Sequence, residues 1–193
     1  MLDYLKIVAV AGLALSPTVA FADWSGSYVG LSYGSVTGDL DFDPSPDQAL
    51  DDGTVFGLYG GYQVQMNALV YGGEIAFANP DGTAVTGFDG VSEITEPVFD
   101  FKGRVGYPTG QILIYGVLGL STGTYTNVIG DPNEEWDLTG FNYGLGAEYM
   151  VNPNYIVGVE YLARDMEGDN PFGGGQTAQV DFDTLSLRLA YKF

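Results

Sequence analysis

The chain contains no cysteine and no histidine, and only six of its 193 residues are Lys or Arg. Without Cys there is no disulfide framework and no thiol nucleophile. Without His the Ser-His-Asp and Cys-His systems, the imidazole general bases and the usual zinc sites are gone as well. Only carboxylate chemistry would remain for catalysis, so the expectation is that the chain is not an enzyme. No cofactor is expected, beyond Ca²⁺ or Mg²⁺ weakly held by oxygen ligands. Charged residues are also scarce, at 16% where soluble domains carry about 25%. Acids outnumber bases 25 to 6, for a net charge of −19. That balance argues against nucleic acid as a partner, and against anionic surfaces unless cations intervene.

Long apolar runs are missing too. The run from Ile7 to Leu15 follows Lys6 and leads to Ala20-Phe21-Ala22. This is the pattern of a secretory signal peptide with a small-x-small cleavage site. The run is roughly half of the ~20 residues a spanning helix needs. The reading is a signal peptide over 1–22 and one domain over 23–193. With no Cys at the cleavage point, a lipid-anchored form is excluded. Past the leader no run of ~18 apolar residues exists, so a helical membrane protein is unsupported.

What is abundant is glycine (29 residues) and aromatic side chains (14%). A closed β-barrel can cross a bilayer with such a composition, because its strands show only every second side chain to lipid. The alternation is plain along the chain. Val29, Leu31 and Tyr33 oppose Gly30, Ser32 and Gly34, and Phe56, Leu58 and Tyr62 oppose Gly57, Tyr59 and Gly61. Tyr71, Ile75 and Phe77 oppose Gly72, Glu74 and Ala76, and Phe99, Phe101, Val105 and Tyr107 oppose Asp100, Lys102, Arg104 and Gly106. A fifth strand, Ile112 to Thr122, is almost continuously apolar, and its facing is left open. Phe141 to Tyr149, Tyr155 to Arg164 and Leu185 to Phe193 alternate again.

These are eight strands of about 9–11 residues, the length needed to cross hydrocarbon at a tilt. Short connections at 65–68, 108–111 and 151–154 alternate with long ones at 37–54, 79–96, 123–138 and 165–180. The expected fold is therefore an all-β, eight-stranded antiparallel up-and-down transmembrane barrel, with short periplasmic turns and four long extracellular loops. A soluble sandwich or lipocalin-like barrel would also alternate, but its apolar face would point inward. Here the opposite faces hold too many glycines and paired charges for a solvent-washed surface. Aromatic positions agree with the membrane reading. Tyr62, Tyr71, Tyr107, Tyr149, Tyr155 and Tyr191 lie beside short turns or the C-terminus. Tyr33, Phe56, Phe77, Phe99 and Phe141 lie beside long connections.

Several short motifs occur in a consistent order: Trp24-Ser25-Gly26-Ser27-Tyr28-Val29-Gly30, Tyr71-Gly72-Gly73-Glu74, Gly103-Arg104-Val105-Gly106-Tyr107, Gly144-Leu145-Gly146-Ala147-Glu148-Tyr149 and the terminal Phe193. With them the chain resembles the small OmpA- and OmpX-like outer-membrane β-barrel family over essentially all of its mature length. The resemblance implies residence in the outer membrane of a Gram-negative bacterium, in contact with outer-membrane lipids. It also implies recognition by the assembly machinery through a C-terminal signal, here Leu187, Leu189, Tyr191 and Phe193. Arg188 stands where that signal usually has a glycine.

The bases left after removal of the leader are Lys102, Arg104, Arg164, Arg188 and Lys192, and all fall on the face read as inward. Glu74, Asp100, Glu148 and Glu160 share it. On the lipid side at midplane Arg or Lys would cost ~2–4 kcal/mol, so the nine are expected to form a charge-paired lumen network. Glu74 is expected to meet Lys102, Glu160 to meet Arg188, and Glu148 to meet Arg104 across the lumen. The other acids lie in long connections or at strand ends with no base among them. The first long connection carries Asp39, Asp41, Asp43, Asp47, Asp51 and Asp52, but Pro44 and the missing Glu at position twelve exclude an EF-hand. Pairing of the last strand with the first should bring Asp181 and Asp183 near Asp39 and Asp41, as a rim site for a weakly held Ca²⁺ or Mg²⁺. The expected function is a structural or surface-interaction barrel presenting acidic loops to an extracellular partner. The alternative is a narrow passive pore or small-ligand transporter, its lumen left partly open by Gly30, Gly34, Gly57, Gly61, Gly72, Gly144 and Gly146.

Overall fold

Two-residue turns set the register of the barrel. Asn67 takes a left-handed backbone (φ 56°) between Met66 and Leu69, and Gly110 does the same (φ 60°) between Thr109 and Ile112. These are residue types that tolerate positive φ in tight hairpins. At the third turn the Asn152 side-chain oxygen accepts hydrogen bonds from the backbone N–H groups of Asn154 (2.9 Å) and Tyr155 (3.0 Å), a local Asx turn. Each turn joins neighbouring antiparallel strands.

In this computed structural model the described residues are 22–42, 48–49, 53–81, 84–85, 92–93, 97–127, 134–169 and 177–193. They form eight long strands: β1 Gly26–Phe42, β2 Gly53–Met66, β3 Leu69–Asp81, β4 Val98–Thr109, β5 Ile112–Asn127, β6 Glu134–Asn152, β7 Tyr155–Asp169 and β8 Thr177–Lys192. Every strand pairs antiparallel with its sequence neighbours, and β1 pairs with β8 from Tyr28↔Lys192 to Phe42↔Ala178, closing the ring. Short two-residue strands at Gln48–Ala49, Ala84–Val85 and Ser92–Glu93 add to it on the loop side. Residues 1–21 of the expected leader, and Asp43, Asp47, Asp51 and Asp52, lie outside the described residues. No helix among the described residues is long and apolar enough to cross a membrane.

The outer wall carries the large apolar residues. Val29, Leu31, Ile75, Phe101, Ile114, Leu118, Leu145, Val159 and Leu187 are all exposed there. The open question of β5 is resolved: Ile112, Ile114, Leu118 and Leu120 point out, and Leu113, Tyr115, Val117 and Ser121 point in. The strands are longer than expected, 12 residues in β4 and up to 19 in β6. The extra length is on the loop side, where the polarity of the two faces reverses. Val36, Val55, Ala78, Val98, Leu138, Met166, Val180 and Phe182 are buried inside, while Asp165, Glu167, Gln179 and Asp181 point out. Alternation with apolar residues outward ends there, which is why the segments read as loops.

Candidate functional site

The lumen is the chemically richest part of the molecule, and it is layered. At the turn side, residues 22–25 fold back across the mouth. Trp24 is fully buried among Val70, Leu113, Met150, Ile156 and Ala190. Its backbone N–H donates to Gln65 Oε1 (3.1 Å), and the Gln65 backbone N–H donates to Ser25 Oγ (3.1 Å). Lys192 Nζ donates to the carbonyl oxygens of Asp23 and Ser25. Beside it, the Ser25 N–H donates to the Asp23 carboxylate (2.9 Å) and holds its pKa below the ordinary value. Lys192 therefore faces inward as expected, but among the described residues it forms no ion pair with the four lumen acids. The two carbonyl oxygens, at 2.5 and 3.1 Å, are closer to it than any lumen carboxylate.

Above this floor lie eight buried charges of balanced sign, in two groups. In the larger group Glu74 Oε1 meets Lys102 Nζ (2.7 Å), and its Oε2 meets Arg188 (2.6 Å) and Arg104 (3.3 Å). Glu160 meets the same Lys102 (2.8 Å) and Arg188 (2.6 Å), and Arg104 reaches across β5 to Glu148 (2.8 Å). The register explains the contacts. Glu74 and Lys102 are direct partners between β3 and β4, and Arg188 faces Gly158, two residues from Glu160. Tyr28 OH donates to Glu74 (2.9 Å) and Tyr115 OH to Glu160 (2.9 Å). In the second group Arg164 grips Asp100 with two bonds, Nε–Oδ1 at 2.9 Å and Nη2–Oδ2 at 2.7 Å. Ser121 Oγ donates to the same carboxylate (2.7 Å), and Asn142 donates to Ser121 (2.8 Å). Carboxylates this well hydrogen-bonded offset much of the desolvation that an isolated buried ion would suffer.

Three tyrosines that sequence reasoning gave no role complete the packing. A Cβ added at Gly30 would overlap the Tyr59 ring, one at Gly61 the end of the Tyr28 side chain, and one at Gly146 the Tyr115 ring. These glycines do not leave open space; they are the hollows into which neighbouring rings fit. The rings then serve the cations, with Arg188 over Tyr59 (3.7 Å) and Arg104 over Tyr115 (4.0 Å), contacts that strengthen when desolvated. The signal available in the sequence was an inward Tyr placed opposite an inward Gly on the next strand, as Gly30↔Tyr59 and Tyr115↔Gly146. Between the two ionic groups a cavity of about 30 Å³ touches Ser32, Lys102, Arg164 and Arg188, the volume share of about one water.

At the rim, backbone register sets Asp39 opposite Asp181, but Asp41 opposite Gln179 and Asp183 opposite Thr37. The side chains of Asp39 and Asp41 lie outside the described ones. Among the described residues no group of three or more carboxylates could hold a metal ion. At the C-terminus Leu187, Leu189, Tyr191 and Phe193 all point outward. The Phe193 N–H bonds to the Ser27 carbonyl (2.9 Å), and Tyr155, Tyr191 and Phe193 stack edge to face (5.4 and 5.1 Å).

Comparison with known proteins agrees with this geometry. The chain is 30% identical over 215 residues to the 31 kDa outer-membrane immunogenic protein of Brucella melitensis, covering 92% of this chain and 88% of that one. The crystal structure of Neisserial surface protein A has the same barrel, with a TM-score of 0.58 at 16% identity over 88% of this chain and 98% of that one. So does Ail of Yersinia pestis in complex with the heparin analogue sucrose octasulfate, with a TM-score of 0.53 at 17% identity over 87% and 99%. The model of the outer membrane protein beta-barrel domain matches residues 7–193, and the chain belongs to that family of outer-membrane barrels.

Proposed function

We propose that this protein is a sealed outer-membrane barrel with a structural and surface-interaction role, presenting acidic loops to the exterior. The observation that carries the sealed state is the lumen itself. Glu74 is shared by three cations at 2.6–3.3 Å, tyrosine rings occupy the glycine hollows, and Trp24 covers the turn-side mouth. An ion crossing this path would have to break several charge-assisted bonds in a low-dielectric interior. The name of the Brucella relative, an immunogenic outer-membrane protein, supports exposure at the cell surface. The loops differ in one respect from what the Ail complex suggests for that protein. They contain no Lys or Arg, so a polyanion such as sucrose octasulfate would be repelled, and the surface suits basic or cation-bridged partners. Removal of the leader after Ala22 and recognition of the C-terminal strand by the assembly machinery belong to the same reading.

Planar-bilayer recording tests the sealed state. The expected trace shows no steady conductance for the mature protein. A reproducible open level in the wild type would instead make it a narrow pore or small-ligand transporter.

A further inference from the structure

On the loop side of the ionic network the lumen changes character a second time. Each strand sends one inward residue to this region: Val36, Val55, Ala78, Val98, Gly123, Leu138, Met166 and Val180, in order from β1 to β8. None is polar or charged, and the seven with side chains are buried. Register keeps them together, with Ala78 opposite Val98 and Met166 opposite Val180. Gly123 is the partner of Leu138, and its hollow is filled from other strands. A Cβ there would meet Val98 Cγ2 at 3.2 Å and Met166 Cε at 3.8 Å. Side chains from β4 and β7, three strands apart, thus converge over β5. Below this collar Phe182 lies against the Arg164 guanidinium (5.0 Å). Val55 and Ala78 share the cavity of about 30 Å³ with Lys102, Arg164 and Arg188, so the apolar layer rests on the ionic one.

We propose that the collar is a second seal, in series with the charge network and sufficient without it, an inference that rests on the sealed state. The two layers resist ions for different reasons. An ion entering the network meets carboxylates, guanidinium groups and an ammonium with which it can pair. Between Val36, Val98, Met166 and Val180 it finds no group to replace its water, and an apolar constriction excludes water itself. Loosening the charges therefore leaves the barrel shut.

Planar-bilayer recording of three full mature proteins tests the collar. The wild type should be closed. Trp24→Ala with Glu74→Gln and Lys102→Met opens the floor and the network, and should be as closed as the wild type. Adding Met166→Ser and Val180→Ser should produce a steady open level. Heat-modifiable migration on gels shows that each variant is folded. Because the chain has no cysteine, a milder substitution gives a second readout: Ser32→Cys puts a single thiol in the cavity beneath the collar. In micelles a charged methanethiosulfonate should leave that thiol unlabelled, and should label it once Met166→Ser is added. Labelling that does not respond to Met166→Ser overturns the proposal, as does a closed trace after the two collar substitutions. An open level in the wild type overturns the sealed state along with the collar. An open level that first appears in the variant keeping the collar leaves the sealed state standing and overturns the collar alone.

Discussion

The two halves of the barrel obey opposite rules. On the turn side the wall is apolar outside and ionic inside: Leu118 and Leu187 face out while Glu74, Lys102 and Arg188 face in. On the loop side the same strands place Val36, Val55, Val98, Met166 and Val180 inside and Asp165, Glu167, Gln179 and Asp181 outside. The first arrangement suits hydrocarbon, which cannot solvate charge. The second is that of an ordinary water-soluble sheet, whose buried face is apolar. The strands do not end at the membrane surface; they pass through it and change phase. The change of phase therefore marks the boundary between solvents, with Phe141 on one side of it and Asp165, its register partner on the next strand, on the other.

The comparison breaks most visibly if the ionic half is unbalanced. Glu74→Gln removes the carboxylate shared by three cations, and removal of one partner from a buried network costs ~3–5 kcal/mol. Urea unfolding in micelles should show that loss, and adding Lys102→Met should return part of it. Strictly additive effects would mean that the two residues act independently.

Charge on the outer wall sharpens the boundary. Leu118→Arg puts a guanidinium into the apolar band and should destabilise by ~2–4 kcal/mol, whereas Gln179→Arg, beyond the reversal, should change stability by at most ~1 kcal/mol. Similar losses at the two positions would place both in hydrocarbon and remove the proposed boundary.

The smallest effect concerns the acidic outer wall. Asp165 is the register partner of Asp181, which in turn is the partner of Asp39, and like charges directly opposite on a sheet are destabilising by ~0.2–1 kcal/mol. Asp165→Asn should therefore stabilise by a few tenths of a kcal/mol, less at high salt. A melting series at matched ionic strength reads the rim in a second way. If a divalent ion is weakly held between Asp39, Asp41, Asp181 and Asp183, Ca²⁺ should raise the melting temperature more than Na⁺ does. Equal shifts would reduce the rim to screened repulsion.

The fold was legible because Val29-Gly30-Leu31-Ser32-Tyr33 and its counterparts alternate at period two, a local signal. The partners Glu74 and Lys102 were legible because distance from a short turn fixes height. The loop-side strand ends were not, since Leu138 and Met166 turn inward where the expected pattern has apolar residues turn outward. β5 was ambiguous because its inward residues, Leu113, Tyr115 and Val117, are as apolar as its outward ones. Lys192 and Trp24 were misjudged or missed because their positions depend on residues 22–25 folding back over the mouth, a long-range event with no local periodicity.

That fold-back has a kinetic consequence. The contacts that finish the structure, Phe193 with Ser27 and Lys192 with Asp23 and Ser25, join residues more than 160 positions apart. Contacts so distant in sequence form late and slowly, because chain entropy must be surrendered before they repay it. Until the last residue of β8 is in place, β1 has a bare edge and the floor has no clasp. Assembly is therefore an event that waits for the whole chain, and a barrel lacking its final residues would be left open at the seam between β1 and β8.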